Sequence, residues 1–125
     1  MNVMPEKSDN IVYISVSKSN YGQRFKAMRM ASSRKLIPVY PNIVADFAQF
    51  NPNKERDKDA RDKERWVQIK KASEVWVIGE INREMTEDID LAKRLAKKIH
   101  YFETTPSDAD LKEIDAANAK KGRLL

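Results

Sequence analysis

Residues 72–92, ASEVWVIGEINREMTEDIDLA, decide the fold that the sequence predicts. The run at 74–78 is apolar and rich in valine and isoleucine, without polar alternation, which is typical of a strand covered by helices on both faces. Gly79 follows this strand, and a segment with helical periodicity begins a few residues later. A buried strand that leads into a helix is the repeating unit of a parallel α/β sheet.

The rest of the chain continues this alternation. Further strands are predicted at 10–16, 36–41 and 99–102, and helices are predicted at 43–50, 57–71, 84–98 and 107–121. Another helix follows the first strand and has Tyr21, Phe25, Met28 and Ser32 on one face. Pro38 predicts that the second strand lies at an edge or ends there. The predicted fold class is α/β, a single-domain Rossmann-like (flavodoxin-like) parallel sheet of four to five strands with helices on both faces. Residues 1–9 are predicted to be a flexible N-terminal arm, 10–103 the α/β domain, and 104–125 a C-terminal helix and basic tail.

Composition narrows the class of protein. A chain of 125 residues with 41% hydrophobic content is long enough for one core but not for two. The absence of cysteine excludes disulfides and thiol catalysis, and a single histidine predicts neither a metal site nor a cofactor. The 24 basic and 19 acidic residues are interspersed, which argues against a nucleic-acid partner. Because the sequence has no signal-like or membrane-spanning apolar run, we expect a cytoplasmic protein without a membrane partner.

An aspartate lies on the apolar side of the helix predicted at 84–98. Met85, Ile89 and Ala92 form its apolar stripe at 100° per residue, and Asp88 falls inside that stripe. A buried carboxylate needs hydrogen-bond donors, a cation or a polar cavity. Three interpretations remain open: a complement to the helix dipole, a structural aspartate bonded to a neighbouring loop, or a carboxylate that lines a pocket.

The ends of the strands indicate where a pocket would lie. In open parallel sheets, ligands bind outside the carboxyl ends of the strands, where the strand order reverses. Gly22 and Gly79 follow the first and third strands, and glycine permits close approach of a ligand, although both may serve only in turns. Tyr21 and Arg24 begin the helix after the first strand, where backbone N–H groups favour phosphate. Ser15, at the end of that strand, is predicted to face the same pocket.

The helix at 57–71 carries a further candidate. Asp59 and Asp62 share a face with Trp66 by three-and-four spacing, and such acids on a charged helix are usually solvated. Trp66 is interpreted either as a core residue or as a platform on which a base stacks. His100, the only histidine, is predicted to be structural because it stands within a strand.

Several short motifs carry a resemblance. They are Val12-Tyr13-Ile14-Ser15, Pro38-Val39-Tyr40-Pro41, Asn51-Pro52-Asn53-Lys54-Glu55-Arg56, and the order strand, glycine, Met85-x-x-Asp88-Ile89-x-x-Ala92, then a Tyr-Phe strand. In order and spacing they resemble the nucleoside 2-deoxyribosyltransferase-like family over about residues 10–102, most of all an uncharacterised phage and bacterial branch of it. The resemblance implies a homo-oligomer in a bacterial or phage-infected cell. We expect the apolar side of the last predicted helix, Leu111 and Ile114, to make the contact between chains.

The resemblance also implies site residues. The family's nucleophilic glutamate corresponds to Asp88, its positioning tyrosine to Tyr13, and its base-holding aspartate to Trp66, while Glu84 stands where the family has glycine. The shorter carboxylate lies about 1.5 Å further from the sugar, and misplacement on that scale costs on the order of a hundredfold in rate. Transferase activity is therefore predicted to be weak or absent.

The leading prediction is a nucleoside- or nucleotide-binding protein with catalytic candidates Asp88 and Tyr13. Its predicted ligand-binding residues are Ser15, Tyr21, Gly22, Arg24, Trp66, Gly79 and Met85. One alternative is an active N-glycosidic transferase or hydrolase that uses Asp88 as its nucleophile. Another is a phage interaction module that sequesters a host signal or inhibits a host protein.

Overall fold

The computed structural model of the chain describes residues 10–40, 54–104 and 111–121. In chain order its elements are β1 (Ile11–Val16), α1 (Arg24–Ser33), β2 (Ile37–Val39), α2 (Lys54–Lys71), β3 (Glu74–Ile78), α3 (Arg83–Arg94), β4 (Lys98–Glu103) and β5 (Lys112–Ile114). Short 3-10 segments occupy Lys18–Gln23 and Ala116–Asn118. The predicted arm at 1–9 and the predicted helix at 43–50 lie outside the described residues, as does the start of the Asn51-Pro52-Asn53 motif.

The five strands form one mixed sheet in the order β2-β1-β3-β4-β5. The first four strands are parallel to their neighbours, whereas β5 pairs antiparallel with β4. The prediction of a wholly parallel sheet is therefore wrong at its last strand. The connection at 104–111 is shorter than the dozen or so residues that a parallel crossover needs, so the chain returns beside β4 in the opposite direction. As Pro38 predicts, β2 is an edge strand.

Helices cover both faces of the sheet. One core contains α1 residues and the other contains residues of α2 and α3, and alternate residues of β1 and β3 point into each. On the α1 face the buried residues are Val12, Ile14, Ala27, Ala31, Trp76, Ile78, Phe102 and Leu111. On the α2 and α3 face they are Tyr13, Ile69, Ala72, Val75, Val77, Ile81, Met85, Ile89 and Ala92. The prediction that the strand at 74–78 is covered on both faces is confirmed.

The predicted buried face of α1 is wrong. Phe25 is 71% exposed, and the helix instead buries Ala27 and Ala31. The sheet explains this choice, because β3 and β4 already fill the space with Trp76 and Phe102, whose ring centroids lie 4.8 Å apart. Only small side chains on α1 allow the helix to pack against rings of that size.

The chain after β4 also differs from its prediction. Across 111–121 there is a short strand and a 3-10 turn rather than the predicted helix. Leu111 is buried against the α1 face, and β5 satisfies backbone groups that β4 would otherwise leave unpaired at the edge. Leu111 is therefore unavailable as the predicted contact between chains. Among the described helices, none is both long and apolar enough to cross a membrane.

Candidate functional site

The N-terminal end of α3 places Asp88 toward the sheet. Asn82 caps the helix, because its side-chain oxygen accepts a hydrogen bond of 2.8 Å from the backbone N–H of Met85. One turn further on, Asp88 lies on the same inward face as Met85 and is only 4% exposed. The predicted inward aim of this carboxylate is confirmed.

Both oxygens of Asp88 accept hydrogen bonds. Ser15 donates from Oγ to Oδ2 at 2.9 Å, and Arg65 donates from Nε to Oδ1 at 3.0 Å. Tyr13, two residues before Ser15 on the same face of β1, is also buried, and the Asp88 carboxylate acts on it electrostatically. Tyr13, Ser15, Arg65 and Asp88 are referred to below as the Asp88 cluster. The structure thus brings together three residues that the sequence predicts, along with one that it does not.

The residue missed by sequence reasoning is Arg65. Its side chain is 3% exposed, and it also pairs with Asp62 at 2.8 Å, Glu87 at 2.9 Å and Glu84 at 3.2 Å. The face predicted for this helix includes both Trp66 and Ile69. The structure buries Ile69 but exposes Trp66, and the buried residues beside Ile69 are Arg65 and Ala72. The spacing of four and three residues between Arg65, Ile69 and Ala72 indicates one helix face. Sequence reasoning does not assign Arg65 to it, because arginine is rarely buried without acidic partners.

Burial shifts the pKa values of the ionisable groups in the Asp88 cluster. Removal from water raises the pKa of Asp88 to about 6, although Arg65 and Ser15 pull it down. Burial, reinforced by the Asp88 charge, raises the pKa of Tyr13 well above its usual value. Burial alone would lower the pKa of Arg65, but the surrounding carboxylates, Asp88 first, outweigh it and raise the pKa. The cluster is therefore a charged arginine held by carboxylates beside a neutral tyrosine, and each oxygen of Asp88 already accepts one hydrogen bond.

A separate cleft lies at the carboxyl ends of β3 and β4. Its volume is about 230 Å³. The residues that line it are Asn20, Gly79, Glu80, Phe102, Glu103, Thr104, Ile114, Asn118 and Lys120. We call it the carboxyl-end cleft. Asn20 follows β1 and Gly79 follows β3, so the cleft adjoins the point at which the strand order reverses.

Gly79 is required at the wall of this cleft. Its φ is +75°, a conformation that side chains disfavour. A Cβ atom there would lie 2.8 Å from Nδ2 of Asn20 and 3.1 Å from the side-chain methyl carbon of Thr104. Gly22 differs, because it is exposed and a Cβ on it would meet nothing within 4 Å. Of the two predicted close approaches, the described contacts require only the one at Gly79.

The remaining predicted residues lie elsewhere. Met85 is 2% exposed and belongs to the core. The Arg24 guanidinium stacks on the Tyr40 ring, 4.1 Å from its centroid. The side chains of Tyr21 and Asp59 lie outside the described part of the molecule. His100 stands in β4 and lies 2.7 Å, by Nδ1, from a carboxylate oxygen of Glu113, which agrees with its predicted structural role.

Trp66 lies in a third place, on the outer surface of the helices, and is 43% exposed. There it lines a groove of about 470 Å³ between α2 and α3. The groove, called the α2–α3 groove below, consists of Asp62, Trp66, Lys70, Glu87, Asp90, Leu91 and Arg94. Trp76, in contrast, is fully buried in the α1-face core. The two tryptophans therefore have different environments, and the core interpretation of Trp66 is wrong.

Within the described ranges, no group of three or more histidine, aspartate or glutamate side chains is arranged to hold a metal ion. Comparisons of the chain with protein-family models, with curated proteins and with solved structures found no match. The site must accordingly be interpreted from its own geometry.

Proposed function

We propose that the chain binds a single nucleoside, or a similarly small hydroxyl-rich ligand, in the carboxyl-end cleft. The observation that carries the proposal is the position of this cleft beside the strand-order reversal, the place where open α/β sheets bind ligands. The finer prediction of a Rossmann-like fold belongs with this proposal, since it rests on the same arrangement of β1 to β4. So does the resemblance to nucleoside 2-deoxyribosyltransferase-like proteins.

The lining of the cleft favours hydroxyl groups as ligand contacts. Glu80 and Glu103 offer carboxylate acceptors, and Asn20, Thr104 and Asn118 offer neutral donors and acceptors. Acidic side chains near the phosphate-binding region of dinucleotide folds bind ribose hydroxyls in the same manner. Two carboxylates line the cleft against the single ammonium group of Lys120, which makes it a poor host for a phosphate chain, although Glu103 also lies 3.9 Å from the ammonium of Lys112. A nucleoside is therefore favoured over a nucleotide.

The size of the cleft supports a small ligand. Its volume of about 230 Å³ is below the roughly 300–1,000 Å³ of pockets that hold drug-sized molecules. A cyclic dinucleotide would extend beyond it, whereas a single nucleoside would contact most of the lining. Ile114, which is half-buried in the lining, contributes an apolar surface for a base.

Calorimetric titration with nucleosides, nucleotides and cyclic dinucleotides tests the proposal. We expect a nucleoside to bind more tightly than its 5′-phosphate. Glu80→Ala should weaken binding by about tenfold or more, because a hydrogen bond to a charged group is worth about 1.5–3 kcal/mol. Asp90→Ala is the matched control, since it removes the same charge from an exposed position outside the cleft. No heat with any compound, from a folded protein, would contradict the proposal.

A second candidate function is glycosidic transfer or hydrolysis through Asp88. The observation that favours it is the assembly of Tyr13, Ser15 and Asp88, the set that the family resemblance implies. Against it, Asp88 is only 4% exposed, and the hydrogen bonds from Arg65 and Ser15 make its oxygens weaker nucleophiles than those of an open carboxylate. Incubation with deoxynucleosides distinguishes the candidates: release of free base that Asp88→Asn abolishes supports catalysis, and release that Asp88→Asn leaves unchanged removes the nucleophile assignment.

A further inference from the structure

The α2–α3 groove has an unusual order of side chains along its length. On α2, Asp62 lies four residues before Trp66 and Lys70 lies four residues after it. On α3, Glu87 and Arg94 are equally distant from the midpoint between Asp90 and Leu91. Both helices thus place an acid at the N-terminal end of the groove, a base at its C-terminal end, and a large apolar residue between them. On α3 the exposed carboxylate of Asp90 also lies in the middle of the groove, beside Leu91.

The two helices run side by side in the same direction, since each connects two parallel strands on the same face of the sheet. The charge pattern is consequently shared across the whole groove and not confined to one helix. In the described part of the chain, the ammonium of Lys70 and the guanidinium of Arg94 form no ion pair, and both residues are exposed. The basic end of the groove is therefore open to an acidic partner.

We infer that the α2–α3 groove is a self-complementary surface that binds a second copy of this chain. The two copies are related by a twofold axis that lies in the plane of the interface, perpendicular to the helices and at the level of Trp66. The helices of the second copy therefore run in the opposite direction. Each Asp62 then faces the Lys70 position of the other chain, and each Glu87 faces the Arg94 position. A twofold axis parallel to the helices would instead bring acid against acid, so the charges select one of the two arrangements.

Three further features agree with this arrangement. The antiparallel packing of α2 on its own copy opposes the two helix dipoles. Trp66, 43% exposed in the single chain, lies at the axis and meets its own copy, and aromatic residues at the centre of an interface contribute much of the binding energy. Asp62 and Glu87 are held in place by Arg65, so the acidic end of the surface is already ordered before a partner arrives.

The area of the surface sets the expected strength. The 12 residues of α3 are about 18 Å long, and two helices about 10 Å apart present a face about 20 Å wide. Such a face, about 350 Å² per chain, lies below the size of stable interfaces, so association is expected to be weak and concentration-dependent. The four pairs of opposite charge between the chains outnumber the one repulsive pair, Asp90 with its own copy at the axis, so association is also expected to weaken with salt.

Sedimentation velocity of the full chain tests the inference. We expect the mass to rise from 14.5 kDa toward twice that value between about 10 μM and about 1 mM protein, and to rise less at about 500 mM than at about 50 mM salt. Lys70→Glu with Arg94→Glu should shift the dissociation constant by at least about tenfold toward the single chain. Lys63→Glu with Lys93→Glu is the matched control, because it makes the same charge change at exposed positions outside the groove.

Chemical cross-linking provides a second readout that does not depend on charge. The chain has no cysteine, so Asp90→Cys and Lys93→Cys each introduce one thiol, the first beside the proposed axis and the second outside the groove. A short bismaleimide should join two chains of Asp90→Cys but not of Lys93→Cys. A chain that stays single at every concentration, a dimer unaffected by the Lys70 and Arg94 reversals, or equal cross-linking of both variants overturns the inference. A single chain at every concentration would leave the groove to a different partner. None of these outcomes depends on ligand binding in the carboxyl-end cleft.

Discussion

The Asp88 cluster and the carboxyl-end cleft lie against the same small sheet, but their carboxylates have opposite environments. Asp88 is withdrawn from water and both its oxygens are occupied, whereas Glu80 and Glu103 are exposed at the wall of a cleft. The first arrangement fixes the positions of β1, α2 and α3 relative to one another, and the second leaves acceptors available to a ligand. A polar residue close to the end of a strand is therefore not by itself evidence of a binding site. It can bind a ligand only if it is accessible and still has hydrogen-bonding capacity.

Removal of Arg65 should have the largest effect. Arg65→Met keeps a long apolar side chain but leaves Asp88 buried without its cation, and Asp62, Glu84 and Glu87 repel one another. We expect the free energy of unfolding to fall by about 3–5 kcal/mol, measured by urea denaturation at pH 7. Arg94→Met, at an exposed position, should change it by less than about 0.5 kcal/mol. Equal effects of the two substitutions would show that the cluster does not stabilise the fold.

The pH dependence of the free energy of unfolding tests whether Asp88 is withdrawn from water. The pKa of Asp88 is about 6 in the folded chain and about 3.9 in an unfolded one, so the folded state binds the proton more tightly. This contribution to the free energy of unfolding is fully present below about pH 4 and is lost as the pH rises through 6. Relative to Asp88→Asn, wild type should gain up to about 3 kcal/mol between pH 7 and pH 4.

Urea denaturation of both proteins at intervals across that range measures the difference. The raised pKa values of Tyr13 and Arg65 lie well above this range, so both groups keep their protons and the difference reports on Asp88. Parallel pH profiles for wild type and Asp88→Asn would mean that Asp88 is not held in a desolvated site. A wild-type profile that loses stability on acidification relative to the variant would reverse the proposed sign.

A substitution at the cleft should have a smaller effect on stability. Gly79→Ala forces a side chain into a left-handed backbone conformation and against Asn20 and Thr104. We expect a loss of about 1–2 kcal/mol in the free energy of unfolding, measured by thermal or urea denaturation. Gly22→Ala is the control and should change stability by less than about 0.5 kcal/mol. Similar losses for both would mean that the end of β3 is less constrained than its backbone geometry indicates.

The sequence predicted those elements whose local pattern and tertiary environment agree. The run at 74–78 is β3 because an unbroken apolar stretch can be satisfied only between two layers of helices. The helix of Asp88 was equally predictable, since its apolar stripe repeats at the helical period and its cap is local. In both cases the pattern that predicts the element lies in consecutive residues.

Other features could not be read from local pattern. The buried face of α1 depends on how much space Trp76 and Phe102 leave, and both lie more than forty residues further along the chain. Residues at 111–121 have helical propensity, but the unpaired edge of β4 turns part of them into a strand. Arg65 is buried because acids from α2 and α3 converge on it, a circumstance that no single segment encodes.

The sequence by itself determined the alternation of strands and helices, the covering of β3 on both faces and the inward direction of Asp88, because hydrophobic periodicity is a property of consecutive residues. Tertiary structure alone decided which polar residues meet. It paired Asp88 with Arg65 and Ser15, and it placed Gly79 in one cleft and Trp66 in another. The physical reason is that hydrogen bonds and ion pairs join atoms that are close in space, and their partners lie on different elements whose relative positions are fixed only when the sheet and its helices pack together.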